Sequence, residues 1–551
     1  MRRSSKSDWF VPIGTGNTGM SQDETDPNIT SLPTADDARA GSRRARGKIK
    51  GLDEAALVAE SVRAAGELVV LAHGVFDLVH MGHVRHLEAA KREGDLLIVT
   101  VTADEFVRKG PGRPIFNQMM RAEMIAALEY VDLVAINHAD NAEPVLQAIR
   151  PDVYVKGSDY ENPDDDVTGN IDIERDAVEK AGGRLVFTND ITFSSSALIN
   201  RYMDLHDAPL RDFLEDIREN NGLNRLLDLI ESVKDYRILI VGDTIIDEYL
   251  YVYPLGKAAK ENIIATKSRD REIFAGGVIA AANHVASFCR EVEVITCLGN
   301  ENSHEELVRK SLLPNVKLTP IHRDGMPTTC KRRYVDTSYT RKLFEVYFMD
   351  DSPFDRPMED AFSDLIAERA GNYDLVIVTD FGHGLISPRI VSTLIESSKF
   401  LAVNTQANAG NQGFNLITKY PRADFVCLDE PEARLAVTDQ YSDLVEVAAD
   451  RLPGIIDCDR IIITQGRLGC IAVENDRMPV QIPALTGTVV DTIGAGDAFF
   501  VVAAPLVAAG GEMKDVGLIG NAAGAMMVGI VGHRNAIEKV SLLKYLTAVL
   551  K

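Results

Sequence analysis

The chain has 551 residues, a formal net charge of -23 at pH 7, 45% hydrophobic residues and 26% charged residues. That length exceeds what one core ordinarily supports, so at least two domains are expected. The acidic balance disfavours nucleic acid and anionic lipid as partners, and the longest apolar stretches, such as 498–510, fall short of the roughly 20 residues that span a bilayer.

Residues 1–48 are rich in Ser, Thr, Asp, Gly and Arg without apolar periodicity, which predicts a flexible tail and no secretory signal. A cytoplasmic protein is therefore expected. Cys289, Cys297, Cys330, Cys427, Cys458 and Cys470 show no CxxC spacing and are expected as reduced, buried thiols.

From Leu68, short apolar runs (LVVLAH, LLIVTVT, VDLVAI) alternate with helix-length amphipathic segments, which predicts a parallel sheet with crossover helices over a first domain at 49–203. The first run leads into HGVFDLVHMGH. There His80 and His83 flank Gly82 at a strand-to-helix turn, where a glycine admits a phosphate, the helix start supplies free N–H groups and two imidazoles can donate. An isolated HxGH is as readily a helix cap beside a surface histidine; its place after an apolar strand favours the phosphate reading.

Further along stand Lys109 in RKGPGRP, Arg121 in RAEMIAALEYVD, KGSDY with Lys156 and Asp159, and SSSALI with Ser194, Ser195 and Ser196. Taken singly, Lys109 reads as a loop charge and Ser194 as a helix cap. In this order they resemble the cytidylyltransferase-like nucleotidyltransferases over residues 68–202. That resemblance implies a Rossmann-like α/β domain in which His80 and His83 contact the triphosphate of ATP or CTP and Lys109 neutralises the transition state. It also implies phosphate binding by Ser194, Ser195 and Ser196, with Phe76, Gly82, Arg121 and Lys156 at the nucleotide. Asp159 stands between nucleotide contact and turn residue, and Asp77 reads as structural, holding its loop by side-chain to backbone hydrogen bonds.

Residues 204–235 carry Leu at helical spacing and predict a helical linker. A second alternation (RILIVGD, YDLVIVTD, RIIITQG) predicts another α/β domain over 236–551. Within it, VVDTIGAGDAFF places Gly494, Ala495 and Gly496 at a helix start, where successive N–H groups form an anion hole, and sets Asp497 to accept a hydroxyl proton. This string resembles the signature of the ribokinase-like (PfkB-type) carbohydrate kinases.

The resemblance implies that Asp497 is the base and ATP the phosphoryl donor, that Asp247 in GDTIID binds sugar hydroxyls, and that Gly276 and Gly277 pack against the sugar. Gly466 and Gly469 in TQGRLG match the nucleotide-side loop, and Asp429 and Glu432 in LDEPE match the acidic motif for water-bound Mg²⁺. Ala280 stands where a sugar-contacting Asn is common, and His383 where a lysine is frequent. NTQANAGNQGFN, opening at Asn404, suits hydrogen bonding to a polyol or its phosphate, or is simply a polar loop. Residues 328–349 alternate as a small β lid would, and the resemblance implies a homodimer joined through it.

A sugar kinase joined to a nucleotidyltransferase resembles the bifunctional ADP-heptose synthases of lipopolysaccharide assembly, with the halves in the opposite order. The resemblance implies phosphorylation of heptose 7-phosphate at O1, then nucleotidyl transfer from ATP or CTP to the sugar 1-phosphate, both with Mg²⁺. Small sugar phosphates and nucleotides are thus the expected partners. The alternatives are another polyol or sugar phosphate, or one half kept as a regulatory module.

Overall fold

The structure is a computed structural model that describes residues 45–110, 112–157, 170–188, 196, 199–200, 206–338, 341–485 and 489–551. Among these residues the amino-terminal unit holds five parallel strands, β1 (Val69–Gly74), β2 (Leu96–Thr102), β3 (Leu133–Asn137), β4 (Val153–Gly157) and β5 (Arg184–Thr188). They lie in the order β3-β2-β1-β4-β5. The near-continuous apolar runs of β1 and β2 follow from burial on both sheet faces. Leu87 and Ile125, from helices Met81–Arg92 and Gln118–Ala126, pack on one face. Ala59 and Leu146, from Leu52–Ala64 and Glu143–Ile149, pack on the other. Strand order reverses between β1 and β4, and open α/β sheets hold ligands beyond the strand carboxyl ends at such a reversal.

The segment before the second sheet forms helices Ala208–Glu219 and Gly222–Ser232. Their apolar stripes are not free-standing: Leu210, Leu214, Ile217, Leu226 and Ile230 are buried in the core of the carboxyl-terminal unit.

That unit is built on β6 (Arg237–Gly242), followed by β7 (Thr244–Lys257), β8 (Ile264–Gly277), β9 (Glu291–Glu301), β10 (Val316–Pro327), β11 (Cys330–Asp336) and β12 (Arg341–Phe348). Next come β13 (Leu375–Asp380), β14 (Leu401–Thr405), β15 (Phe425–Asp429), β16 (Arg460–Thr464), β17 (Cys470–Glu474) and β18 (Val480–Ile482). The main sheet runs β10-β9-β6-β13-β14-β15-β16-β17-β18, parallel through β16 and closed by antiparallel β17 and β18. Its order reverses between β6 and β13. The expected lid is a four-stranded sheet, β12-β11-β7-β8, in which β7 and β8 supply half the strands.

All six cysteines are free thiols, and all but Cys297 are buried. Among the described residues no helix is long and apolar enough to cross a membrane.

Candidate active sites

Beyond the carboxyl ends of the central strands of the large sheet lies a cleft of about 310 Å³, walled by lid residues Asp247, Lys331 and Arg333 and by the 492–497 turn. Gly494 takes φ 79°, a left-handed conformation that suits glycine, and turns the chain into helix Ala495–Ala508. A Cβ there would lie 2.6 Å from His533 Cε1, so the turn also needs glycine for space. The first amides of this helix have no intrahelical acceptors, and Gly494 and Gly496 line the cleft. Asp497, in the first turn, is buried and accepts a hydrogen bond from Gln406 Nε2. Burial raises its pKa above the ordinary aspartate value, against the pull of His533 and Gln406.

Asp247 is also buried, ion-paired to Arg333 and 3.4 Å from His533 Nε2 through its Oδ2. Burial alone would raise its pKa, but the His533 bond and charge, with Arg333, hold it at about 2. It is a fixed anion. Gly276 makes room for it, since a Cβ there would sit 2.0 Å from Asp247 Oδ2. Gly277, at φ 58°, packs on the Asp243 carbonyl and lines the cleft. Asn404, one residue before the end of β14, donates Nδ2 to Cys427 O at 2.7 Å, which leaves its buried Oδ1 unbonded at the cleft wall.

Asp429 and Glu432 form a capping box on helix Glu430–Val437: Glu432 N donates to Asp429 Oδ1 at 2.8 Å and Asp429 N to Glu432 Oε2 at 3.0 Å. Burial, then the Asp429 charge, pushes Glu432 up to about 8, and burial raises Asp429 as well. A cation beside this pair would relieve both, so the residues fit the expected Mg²⁺. Among the described residues no three His, Cys, Asp or Glu side chains group as a metal cage, so such an ion would take further ligands from water and phosphate. Gly466 (φ 55°) and Gly469 (φ 98°) bound the turn after β16; Gly469 packs its backbone on Ile482 O, and of this segment Thr464 reaches the cleft.

Ala280 is buried in helix Val278–Ala286. His383 is 6% exposed, has neither ring nitrogen bonded, and is pushed to about 3 by burial. It lines a smaller pocket with Asp243, Arg323 and Thr328. His533, Gln406, Lys331 and Arg333 were not anticipated from the sequence. Lone polar residues in VGHRN and in a strand-like TTCKRRY carry no spacing signal, although Gln406 lies in the Asn-rich stretch.

In the amino-terminal unit, His80 caps helix Met81–Arg92, its Nδ1 accepting from Gly82 N at 3.1 Å, while His83 Nδ1 accepts from His80 N at 3.4 Å. A neutral His80 that accepts at Nδ1 carries its proton on Nε2, whereas the His83 ring also donates to the Leu78 carbonyl. The rings stack with centroids 4.0 Å apart, and Phe76, at φ 53°, meets His83 edge-on. Burial, then the neighbouring His80, His86 and Lys109 charges, lowers His83 to about 3, so it is neutral at ordinary pH. Lys109 lies close enough to contribute, and burial with the adjacent Arg113 charge pushes it down to about 8.

Arg121 corrects the expectation for it. It is fully buried, donating to Phe116 O, Val75 O, Thr102 O and Asp104 Oδ1, and so braces the loops around the site from inside. A side chain held this way by backbone carbonyls does not face a nucleotide. Lys156 is ion-paired to buried Glu174 at 2.7 Å. Asp77 Oδ1 accepts from Ile115 N and Phe116 N, the loop-holding role expected of it. Ser196 is buried, its carbonyl accepting from Arg113 Nη2 at 3.3 Å. Asp159, Ser194 and Ser195 lie outside the described residues.

Residues 235–540 match the family model described as pfkB family carbohydrate kinase, and residues 71–201 the one described as cytidylyltransferase-like. The bifunctional protein HldE of Alcanivorax borkumensis is 39% identical over 180 residues, 31% of this chain and 36% of that protein. The HldE of Streptomyces coelicolor is 45% identical over 127 residues, 23% of this chain and 27% of that protein. The chain spans about a third of the length of the curated relatives it matches. A structure of Arabidopsis thaliana ribokinase complexed with ribose and ATP is 16% identical, covers 57% of this chain and 99% of its own, and superposes with a TM-score of 0.44.

Proposed function

The chain belongs to the pfkB family of carbohydrate kinases, whose model spans more than half of it, and from that premise we propose that it phosphorylates a sugar with ATP and then activates the product as a nucleotide sugar. The observation that carries the kinase reading is the meeting of Asp497, the 494–496 amides and the anionic Asp247 in one cleft. Asp247 and the Asn404 carbonyl oxygen accept hydrogen bonds from the acceptor's hydroxyls. Gly276 and Gly277 bring backbone close to the sugar, and Gly466 and Gly469 shape the nucleotide side.

Asp497 takes the proton of the attacking hydroxyl as that oxygen bonds to the γ-phosphorus and the bond to ADP breaks. The amides of Gly494, Ala495 and Gly496 face the charge on the phosphoryl oxygens. Asp429 and Glu432 would hold Mg²⁺ through water, and the ion when bound shields the ATP phosphates.

In the amino-terminal unit an oxygen of the sugar 1-phosphate attacks the α-phosphorus of ATP or CTP and pyrophosphate leaves. His80 and His83 contact the triphosphate, Lys109 supplies positive charge, and Phe76 and Gly82 shape the turn that receives the phosphates. Ser194, Ser195 and Ser196 would close the phosphate site, with Lys156 and Asp159 toward the nucleoside.

Similarity to proteins named HldE over about a third of the chain makes heptose 7-phosphate, phosphorylated at O1, the acceptor to test first. Here the kinase-like unit follows the transferase-like one. Another sugar phosphate or polyol is the second reading, favoured by Ala280 and His383 standing where the resemblance expects a sugar-contacting Asn and a Lys. A homodimer joined through the lid accords with the exposed Phe344 and Phe348 on β12. The test is to supply the purified protein with candidate sugar phosphates and ATP or CTP and follow products by mass spectrometry. Absence of both sugar phosphorylation and nucleotide sugar across the panel would rule the reading out.

A further inference from the structure

Helix Lys539–Leu550, the last of the carboxyl-terminal unit, reaches from one unit into the other. Tyr545 OH donates to Leu485 O at 2.6 Å, which fixes the helix to its own unit ahead of the 491–497 turn. Its final carbonyls, which an α-helix leaves without intrahelical donors, are met by side chains from earlier in the chain. Asn200 Nδ2 donates to Ala548 O at 2.9 Å, and Arg218 Nη2 to Val549 O at 2.8 Å.

Asn200 extends the contact. Its Oδ1 accepts from Arg113 Nη2 at 3.0 Å, and Arg113 Nη1 lies 3.5 Å from Asp77 Oδ2, with both side chains buried. Asp77 in turn holds the amides of Ile115 and Phe116. The helix also touches the same loop directly, because a Cβ on Gly110 would fall 2.7 Å from Val549 Cγ2. Lys109 therefore sits in a loop gripped on both sides, by Val549 against Gly110 and by Asn200 through Arg113. A segment with glycines at 110 and 112, both at positive φ, has much conformational freedom to lose, and outside contacts are what confine it.

We propose that the end of this helix is a positioning element of the nucleotidyltransferase site, holding the Lys109 loop through Asn200 and Arg113, so that nucleotidyl transfer depends on the docked carboxyl-terminal unit. This rests on the role given to Lys109 above. Asn200, Arg113 and Val549 act through Lys109 and touch no substrate.

The competing account is that Asn200 only supports Arg113 within the amino-terminal unit. Asn200→Asp separates the two, since it keeps the acceptor for Arg113 but replaces the donor to Ala548 O with a carboxylate, which a helix carboxyl end disfavours. In the full chain, Asn200→Asp and Asn200→Ala are both expected to lower kcat for pyrophosphate release from a sugar 1-phosphate with ATP or CTP, on the order of 100-fold for a loop misplaced by about 1 Å. Sugar phosphorylation should keep its kcat and KM. Both variants, and Val549→Ala, should speed hydrogen exchange at the amides of Arg108, Lys109, Gly110, Gly112 and Arg113. An Asn200→Asp protein with wild-type pyrophosphate release and wild-type protection of that loop would overturn the proposal. Were the wild-type protein to release no pyrophosphate from any sugar 1-phosphate, the transferase reading would fail, while the exchange measurement would still decide the docking.

Discussion

His533 Nε2 stands 3.4 Å from Asp247 Oδ2, and both side chains are buried in the kinase cleft. The pairing raises the imidazole's pKa, and the positive charge favours ionisation of Asp247 and of Asp497 alike. Arg333 adds to it at Asp247, which sits at about 2, whereas at Asp497 burial prevails and the pKa is raised. Two aspartates in one cleft are thus driven apart in pKa, as the proposed roles of hydroxyl-binding anion and base would require.

Asp497→Asn should slow sugar phosphorylation by about 10²–10⁴, the usual span for a lost general base, and leave pyrophosphate release intact. The base works deprotonated, so the rate falls as pH drops through its pKa. Because that pKa is raised, the acid limb should lie above the ordinary aspartate value near ~3.9. Removing the imidazole by His533→Ala takes away a charge that lowers Asp497, so the limb should move to higher pH. A profile that stays put or moves down would remove His533 from this account.

Glu432→Gln tests the metal assignment. Burial and Asp429 hold Glu432 near 8, a strain that a cation relieves. The variant should raise the Mg²⁺ concentration needed for half-maximal phosphorylation by roughly 10–100-fold, as loss of an outer ligand does. An unchanged Mg²⁺ titration would place the ion elsewhere.

The parallel order of both sheets was legible because buried strands must be continuous apolar runs, and LLIVTVT and RIIITQG are such runs. Gly494 and Asp497 were legible for a similar reason, as a turn and its helix are local in sequence. What could not be read are contacts made across sequence distance. His533 reaches Asp247 from almost three hundred residues away, and Gln406 reaches Asp497 from another strand end. Arg121 shows the reverse error. A basic residue at a motif position reads as a ligand contact, and only the fold reveals four acceptors around it.

Asp243 makes stability depend on pH. Burial, then the nearby Asp380, raises it from 3.8 to about 7, while its Oδ2 accepts from Phe381 N. The unfolded chain therefore releases this proton first, so the contribution is full below pH 3.8 and is lost as pH rises to about 7, at about 1.4 kcal/mol per unit. Asp243→Asn keeps an acceptor for Phe381 and cannot ionise. Its melting midpoint relative to wild type should be higher at pH 8 than at pH 5, and an equal difference at both would sink the argument.

The alkaline limb of the amino-terminal site should come from Lys109, and His83 should add no acid limb. His83, at about 3, stays neutral from pH 5 upward and adds no acid limb there. Lys109 acts as a cation, and with its pKa lowered to about 8 it loses that charge as pH rises through 8. Pyrophosphate release should therefore fall on the alkaline side as pH rises through about 8, two units or so below an ordinary lysine at ~10.4. Lys109→Arg keeps its charge throughout, so the alkaline fall should move upward, although a planar guanidinium does not replace an ammonium without loss of rate. His83→Ala should lower kcat by roughly 10²–10³, the cost of one donor to a developing oxyanion, and leave sugar phosphorylation unchanged. If the alkaline fall stays at the same pH in Lys109→Arg, the titrating group is another one and Lys109 is not the cation of the transition state.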